Sequence, residues 1–409
     1  MRIFISTGEP SGDLHAANLV RALRKRLPDA EFLGFGGPNL ERAGATVIYP
    51  LVDLAVMWFG RVLVNLHKFL ALASQADRIF RHERPDAVVL IDYPGFHWWI
   101  AWRAKVRNIP VFFYVPPQIW AWAGWRVKKV RKYIDYVLCS LPFEPAWYHA
   151  RGVPGAVYVG HPYFDELAER PLDDSFLAEQ EARGRPIVAL LPGSRTQEVT
   201  RNLPVMLRAA ALLSQQRPEV RFVVACLHDR HRVLAEELVR TSSAAKLNIE
   251  LHAARTAELI RLADVAWAVS GSVGLELMVE ALPTVVLYTI RPFDLWVARK
   301  FIKSRFISIV NLLADAEVMP EYLTDHDVSQ ELCQWALTWL NDPEARERAS
   351  RALAALRDRV AVPGASDRAA ARIADVVLAA SSPALYAGRH KRLTSETAHV
   401  SDPEGGITR

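Results

Sequence analysis

The sequence is poor in cysteine and has no long apolar run. Three cysteines, Cys139, Cys226 and Cys333, stand far apart with no C-x-x-C pair. That spacing argues against a disulfide framework or a structural zinc site and fits a reducing cytoplasm. The longest uncharged run, Asn108 to Trp125, contains Pro110, Pro116 and Pro117, so it cannot be one membrane-spanning helix. Neither G-x-G-x-x-G nor G-x-x-x-x-G-K-[ST] occurs at the expected junctions, which disfavours ordinary dinucleotide and Walker-type nucleotide binding. Without G-x-S-x-G, a hydrolase triad of that type has no support. Asp325-His-Asp327 precedes a helical stretch from Val328 to Leu340 and reads as its cap. His228-Asp-Arg-His231 is interleaved with cations, a poor way to hold a metal. No metal and no cofactor are expected. The opening Met1-Arg-Ile-Phe-Ile-Ser6 reads as a strand, not a cleavable signal, so no export is expected.

What is present suffices for two cores, with 409 residues of which 51% are hydrophobic. Ile187 to Leu191 has the length and branching of a buried parallel strand, and Gly193-Ser194 breaks it before a polar segment able to start a helix. Such a junction aims backbone N–H groups and a helix dipole at one point, and Arg195 adds a planar cation, so a diphosphate seat is one reading. A capped helix with a surface Arg is the other. Arg2 to Ser6, the loop Thr7 to Asp13 and the amphipathic Leu14 to Arg26 repeat this arrangement. Further strands are expected at Glu31–Phe35, Ala87–Ile91, Val111–Val115 and Tyr136–Cys139. After the second start come Arg221–Ala225, Ile249–Leu251, Val265–Val269 and Thr284–Tyr288. The pattern predicts an α/β chain of two Rossmann-like doubly wound domains facing across a cleft. Residues 1–170 would form the first and 171–345 the second, with a charged hinge near 165–185, helices over 346–380 returning toward the first domain, and a disordered tail from 381 to 409.

Asp92 follows a buried strand and points to the crevice where such sheets bind ligands, either as a base or as the cap of the next turn. Glu276, one turn into the helix after Ser270-Gly271-Ser272, can take two ribose hydroxyls or simply favour the helix dipole. The segment from Met57 to Leu70, with Trp58, Phe59, Leu63, Leu66 and Phe69, is apolar nearly all round, so it is either core or laid on something apolar. Trp120, Trp122 and Trp125 precede Arg126, Lys128, Lys129, Arg131 and Lys132. With twelve Trp and a net charge of +5, this is either a plain solvated basic face beside a Trp-rich core or a contact for phosphate or lipid headgroups.

Taken in order, Gly8-Glu-Pro-Ser-Gly-Asp13, Ile91-Asp-Tyr-Pro-Gly-Phe96, Pro117-Gln-Ile-Trp-Ala-Trp122, Leu141-Pro-Phe-Glu144, Gly160-His-Pro162, Leu191-Pro-Gly-Ser-Arg195, Ser270-Gly-Ser-Val-Gly-Leu-Glu276 and Asn311-Leu-Leu313 resemble the lipid-A-disaccharide synthases, from about residue 2 to 380. The resemblance implies a GT-B hexosyltransferase of lipopolysaccharide (lipid A) biosynthesis. It would join UDP-2,3-diacylglucosamine to 2,3-diacylglucosamine 1-phosphate (lipid X) with inversion, through a β-1,6 bond, releasing UDP. It would act from the cytoplasmic side, as a peripheral protein on the inner face of the cytoplasmic membrane of a Gram-negative-type envelope. The resemblance implies Asp92 as catalytic base and Gly193, Ser194, Arg195, Gly271, Ser272, Glu276, Tyr288, Arg291 and Asn311 as UDP-binding residues. Glu9, Ser11, Gly12, Asp13 and His97 would lie on the acceptor side, and the Met57 to Leu70 segment would face lipid. Partners would be the two lipid substrates, the membrane surface and a second copy of the chain as a homodimer, with no nucleic acid. The chain departs from the family pattern at Pro10 (Ala), His97 (Asn), Thr289 (a basic residue) and Val310 (Pro), and Arg291 can supply the cation missing at Thr289. The alternatives are another GT-B enzyme on a UDP-sugar, such as a UDP-N-acetylglucosamine 2-epimerase, and a non-catalytic lipid- or nucleic-acid-binding protein.

Overall fold

The computed structural model describes residues 1–55, 66–184, 186–301 and 304–381. Among them, two all-parallel sheets alternate with helices. The first has the order β3-β2-β1-β4-β5-β6-β7. Its strands are β1 Arg2–Thr7, β2 Glu31–Phe35, β3 Thr46–Tyr49, β4 Ala87–Ile91, β5 Val111–Tyr114, β6 Tyr136–Cys139 and β7 Ala156–Tyr158. The second has the order β10-β9-β8-β11-β12-β13. It comprises β8 Ile187–Leu191, β9 Arg221–Cys226, β10 Ile249–Ala253, β11 Val265–Val269, β12 Thr284–Thr289 and β13 Glu321–Thr324. Each sheet grows outward from its first strand on one side and then continues on the other. Strand order therefore reverses between β1 and β4, and again between β8 and β11, where doubly wound sheets open a crevice at their carboxyl ends.

Burial explains why these runs are strands. Helices cover both faces, so the central strands are apolar without alternation. All five residues of β4 and of β8 are buried. Val88, Val89, Leu90 and Ile91 show no exposure and each stabilises the fold by roughly 1.5–3 kcal/mol relative to exposure. The sequence pattern omits β3, β7 and β13, which all lie at sheet edges. Each is three or four residues long and only partly buried, so its composition carries little of the buried-strand signature.

The chain divides into two compact units, one of Met1–Pro117, Arg126–Val159 and the stretch from Gly364, the other of Gln118–Trp125 and Gly160–Pro363. Helix Ala365–Ser381 belongs to the first unit. Its Ala369, Ala370, Ile373, Ala374 and Val377 join Ala16, Ala17, Leu19 and Leu23 of helix Pro10–Arg26 in one core. Small side chains on both helices let their backbones approach closely. Helix Pro343–Val360 instead packs on helices of the second unit, so the stretch 346–380 divides instead of returning as one block. The expected hinge at 165–185 holds two short helices, Tyr163–Glu169 and Asp174–Ala182. Residues 382–409, and Met57, Trp58, Phe59 and Leu63 of the apolar segment, lie outside the described residues. No helix among the described residues is long and apolar enough to cross a membrane.

Helix Pro10–Arg26 starts inside the expected Thr7–Asp13 loop, with Pro10 in its first turn, where a missing N–H costs nothing. Asp13 is thereby turned into the protein. It is 1% exposed and accepts from the N–H groups of Gly37 at 2.7 Å, Asn39 at 2.8 Å and Leu40 at 3.2 Å. This corrects the expectation that it faces an acceptor, because its carboxylate caps the turn into the short helix Pro38–Arg42. Asp13→Ala should leave those donors without an acceptor and lower stability by about 2–4 kcal/mol, with Asn costing less. Urea unfolding measures it, and an Ala variant of normal stability without activity would return Asp13 to the substrate side.

Candidate active site

The first unit gathers its reactive groups where β1 and β4 end side by side, with Thr7 paired to Ile91. Asp92 and Tyr93 follow β4 with φ of 50° and 49°, two left-handed residues in succession. Each such non-glycine residue costs roughly 1–2 kcal/mol, less for Asp than for Tyr, and Pro94 further restricts Tyr93. Strain of this kind persists only where neighbours over-determine it. Here Gly8 lies under the Tyr93 ring, where a Cβ would come within 2.6 Å of Cγ. The Asp92 carboxylate accepts from Tyr93 N–H at 2.8 Å. Burial raises the Tyr93 phenol pKa, and the nearby Glu9 carboxylate pushes it the same way. Glu9 thus stands beside this turn, and Ser11 is exposed one residue into the helix. Gly12 serves packing, since a Cβ there would meet Thr7 Oγ1 at 2.4 Å.

His97 does not reach the crevice. It has no exposure, its Nε2 lies 2.9 Å from Ser6 Oγ and its Nδ1 lies 2.6 Å from the Asp92 carbonyl. Both ring nitrogens are engaged inside the protein, which corrects its placement among acceptor contacts. Phe69 also departs from expectation. It is buried against Tyr93 and Phe96, because the helix Leu66–His82 turns it inward and leaves Leu66 and Leu70 exposed.

In the second unit β8 and β11 end together, with Leu191 paired to Ala268. Gly193 has φ +126°, and Arg195 precedes helix Thr196–Gln216. The seat expected for a diphosphate holds an internal carboxylate: Glu198 Oε2 accepts from Ser194 N–H at 3.0 Å and Arg195 N–H at 3.1 Å. Arg195 is 71% exposed at its side chain and pairs with Glu198 at 3.2 Å. The geometry in the chain alone is that of a capped helix with a surface Arg, the two N–H groups being occupied by Glu198. Only the reverse half of a capping box is formed, with the Glu198 carboxylate accepting from the Arg195 N–H, because an Arg side chain has no acceptor; without Ser or Thr at that position the sequence carried no capping-box signature. Tyr288 is close by: burial raises its pKa, Glu198 adds to the rise, and Arg195 and Arg201 oppose it.

At the neighbouring loop Gly271 and Ser272 are exposed, and a Cβ on Gly271 would meet nothing within 4 Å. Glu276, in helix Val273–Val279, is 5% exposed. Its two oxygens receive Tyr163 Oη at 2.8 Å and Arg170 Nη1 at 2.7 Å, so it is a held carboxylate and not merely a dipole partner. Sequence reasoning missed both partners, although Tyr163 directly follows Gly160-His-Pro162. A mainly apolar cavity of about 320 Å³ opens beside Ser270 and Tyr288, walled by Ile290, Phe306, Leu312 and Leu323. Arg291 is exposed. Asn311 is a correction: it shows no exposure and binds Met319 O, Glu321 Oε2 and the N–H groups of Val318 and Met319, which leaves its amide nothing for a nucleotide.

Gly193→Ala is strained by its φ, and its Cβ would stand 2.4 Å from Glu198 Cβ and 2.7 Å from Oε2. Stability should fall by about 1–3 kcal/mol from that strain. Urea unfolding checks this, and unchanged stability would show that the loop relaxes around the added methyl group.

Among solved structures, the UDP-GlcNAc 2-epimerase from Neisseria meningitidis bound to UDP-GlcNAc is similar with a TM-score of 0.64 and 11% identity, covering 91% of this chain and 99% of that one. MurG of Acinetobacter baumannii follows at 0.57 and 14%, covering 92% and 98%. At such identities the likeness concerns the fold, which is GT-B. Sequence relatives are much nearer. The lipid-A-disaccharide synthase of Myxococcus xanthus (strain DK1622) is 34% identical over 380 residues, 92% of this chain and 97% of the relative. That of Aromatoleum aromaticum is 34% identical over 348 residues, 84% and 88%. The family model described as Lipid-A-disaccharide synthetase matches residues 3–365, and the chain belongs to the lipid-A-disaccharide synthase family of glycosyltransferases.

Proposed function

We propose that the protein transfers a 2,3-diacylglucosaminyl unit from UDP to the 6-hydroxyl of 2,3-diacylglucosamine 1-phosphate, with inversion, forming the β-1,6-linked disaccharide 1-phosphate and UDP. The observation that carries the mechanism is Asp92, an acid held in a strained left-handed turn at the carboxyl end of β4. The acceptor hydroxyl is too weak an acid to ionise unaided. Asp92 takes its proton as the oxygen attacks the anomeric carbon and the bond to UDP breaks. The charge left on the diphosphate is met by Arg195 and the Ser194 and Arg195 N–H groups, once the phosphates replace the Glu198 carboxylate there. Glu276, fixed by Tyr163 and Arg170, accepts from the ribose hydroxyls. The apolar cavity beside Ser270 supports a donor with an acyl chain.

The same reading places the protein at a lipid surface. Leu66 and Leu70 are exposed, as are Trp99 and Trp102, and Lys128, Lys129, Arg131 and Lys132 stand exposed on helix Val127–Tyr133. Cations near an anionic surface add about 1 kcal/mol each, which supports peripheral binding.

Two variants test the mechanism. Asp92→Asn should leave UDP binding near normal while turnover falls about 10²–10⁴-fold, the factor supplied by a positioned base. An Asn variant with full turnover, or one that loses UDP affinity and activity together, removes the assignment. Arg195→Ala should lower turnover about 10²–10³-fold, as when one preorganised donor is lost, and near-normal turnover of the folded variant would contradict its role.

A further inference from the structure

Ser6, His97 and the Asp92 carbonyl form a buried line across the reversal of the first sheet. Ser6 lies near the end of β1, next to β4, and neither Ser6 nor His97 shows any exposure. A carbonyl can only accept, so the 2.6 Å contact requires the proton on His97 Nδ1. Nε2 is then the acceptor, and the Ser6 hydroxyl, 2.9 Å away, donates to it. The ring is wedged among Tyr93, Phe96 and Phe113, with centroids 5.9, 6.2 and 6.3 Å away. Burial holds the His97 pKa down to about 4, against the smaller opposing effect of the Asp92 carbonyl, so the imidazole stays neutral and keeps this tautomer. The bonded carbonyl belongs to the first of the two left-handed residues, and fixing its plane fixes the peptide linking Asp92 to Tyr93.

We propose that His97 is the positioning residue of the base: its Nδ1–H bond to the Asp92 carbonyl, braced by Ser6, holds the left-handed turn that aims the Asp92 carboxylate. This rests on Asp92 being the base. His97 touches no substrate. Its effect passes through the orientation of Asp92, and a displacement of about 1 Å at a reacting group can cost on the order of 100-fold.

The test is a double-mutant cycle with a conservative rescue. His97→Phe keeps the ring packing and removes both bonds, so kcat should fall about 10–100-fold while UDP affinity and the KM for donor stay near normal. His97→Asn, whose amide can donate to the same carbonyl, should recover most of the loss. Ser6→Ala leaves the Asp92 bond in place without its brace and should lower kcat less than His97→Phe, with UDP affinity unchanged and no further loss in an Asp92→Asn background; a Ser6→Ala with unchanged kcat would remove the brace, so the test stays usable if His97→Phe does not fold. In an Asp92→Asn background His97→Phe should cause no further loss, because the group it positions is already disabled. If His97→Phe lowers turnover by the same factor in that background, if Asn rescues nothing, if UDP affinity falls with kcat, or if Ser6→Ala is as damaging as His97→Phe, the positioning role is wrong. A fully active Asp92→Asn removes the base assignment itself, whatever His97→Phe does, so the two failures are told apart.

Discussion

Parallel pairing of β1 with β4 and of β8 with β11 is the constraint on which the rest depends. In each sheet these neighbours send their following helices away in different directions, which leaves their carboxyl ends uncovered at one place. The loops proposed to carry the chemistry follow these strands: Thr7 to Glu9 and Asp92 in the first unit, Gly193 to Arg195 and Ser270 to Ser272 in the second. The strands behind these loops are mostly apolar, with β4 and β8 buried along their whole length. The loops are thus fixed by a rigid support and still open to ligand, as catalytic geometry requires.

The polar side chains behind the loops are more heavily engaged than their exposed neighbours. Glu198 occupies two N–H groups at the head of a helix, and Glu276 is gripped by a phenol and a guanidinium. The Glu198 carboxylate satisfies two N–H groups that the first turn of the helix leaves without a partner, and in the proposed mechanism phosphate takes its place there. Of the two, Glu276 is the group already held in place, so it needs little rearrangement to act in the proposed transfer.

Much of this was legible in the residues, and what was not has identifiable causes. The ten strands read from the sequence are runs of branched and aromatic residues, including every interior strand of both sheets, and the two strand-loop-helix starts fell on β1 and β8, the first strand of each sheet. Three edge strands were missed because partial exposure erases their pattern. The ligand roles of Asp13, His97 and Asn311 come from the family resemblance, which says nothing of the direction in which each side chain turns. Each instead bonds backbone groups inside the protein: Asp13 the distant Gly37 N–H, His97 the Asp92 carbonyl five residues back and Asn311 the Met319 N–H eight residues on. Tyr163 and Arg170 could not be paired with Glu276 from the sequence, because more than one hundred residues intervene.

The account stands most directly on acceptor-dependent release of UDP. Purified protein is mixed with synthetic UDP-2,3-diacylglucosamine, with and without 2,3-diacylglucosamine 1-phosphate, and UDP is measured alongside the sugar product. The expected result is UDP released in equal amount to a disaccharide 1-phosphate, and only when the lipid acceptor is present. UDP released at the same rate without acceptor, or a donor turned over with no disaccharide formed, would contradict it.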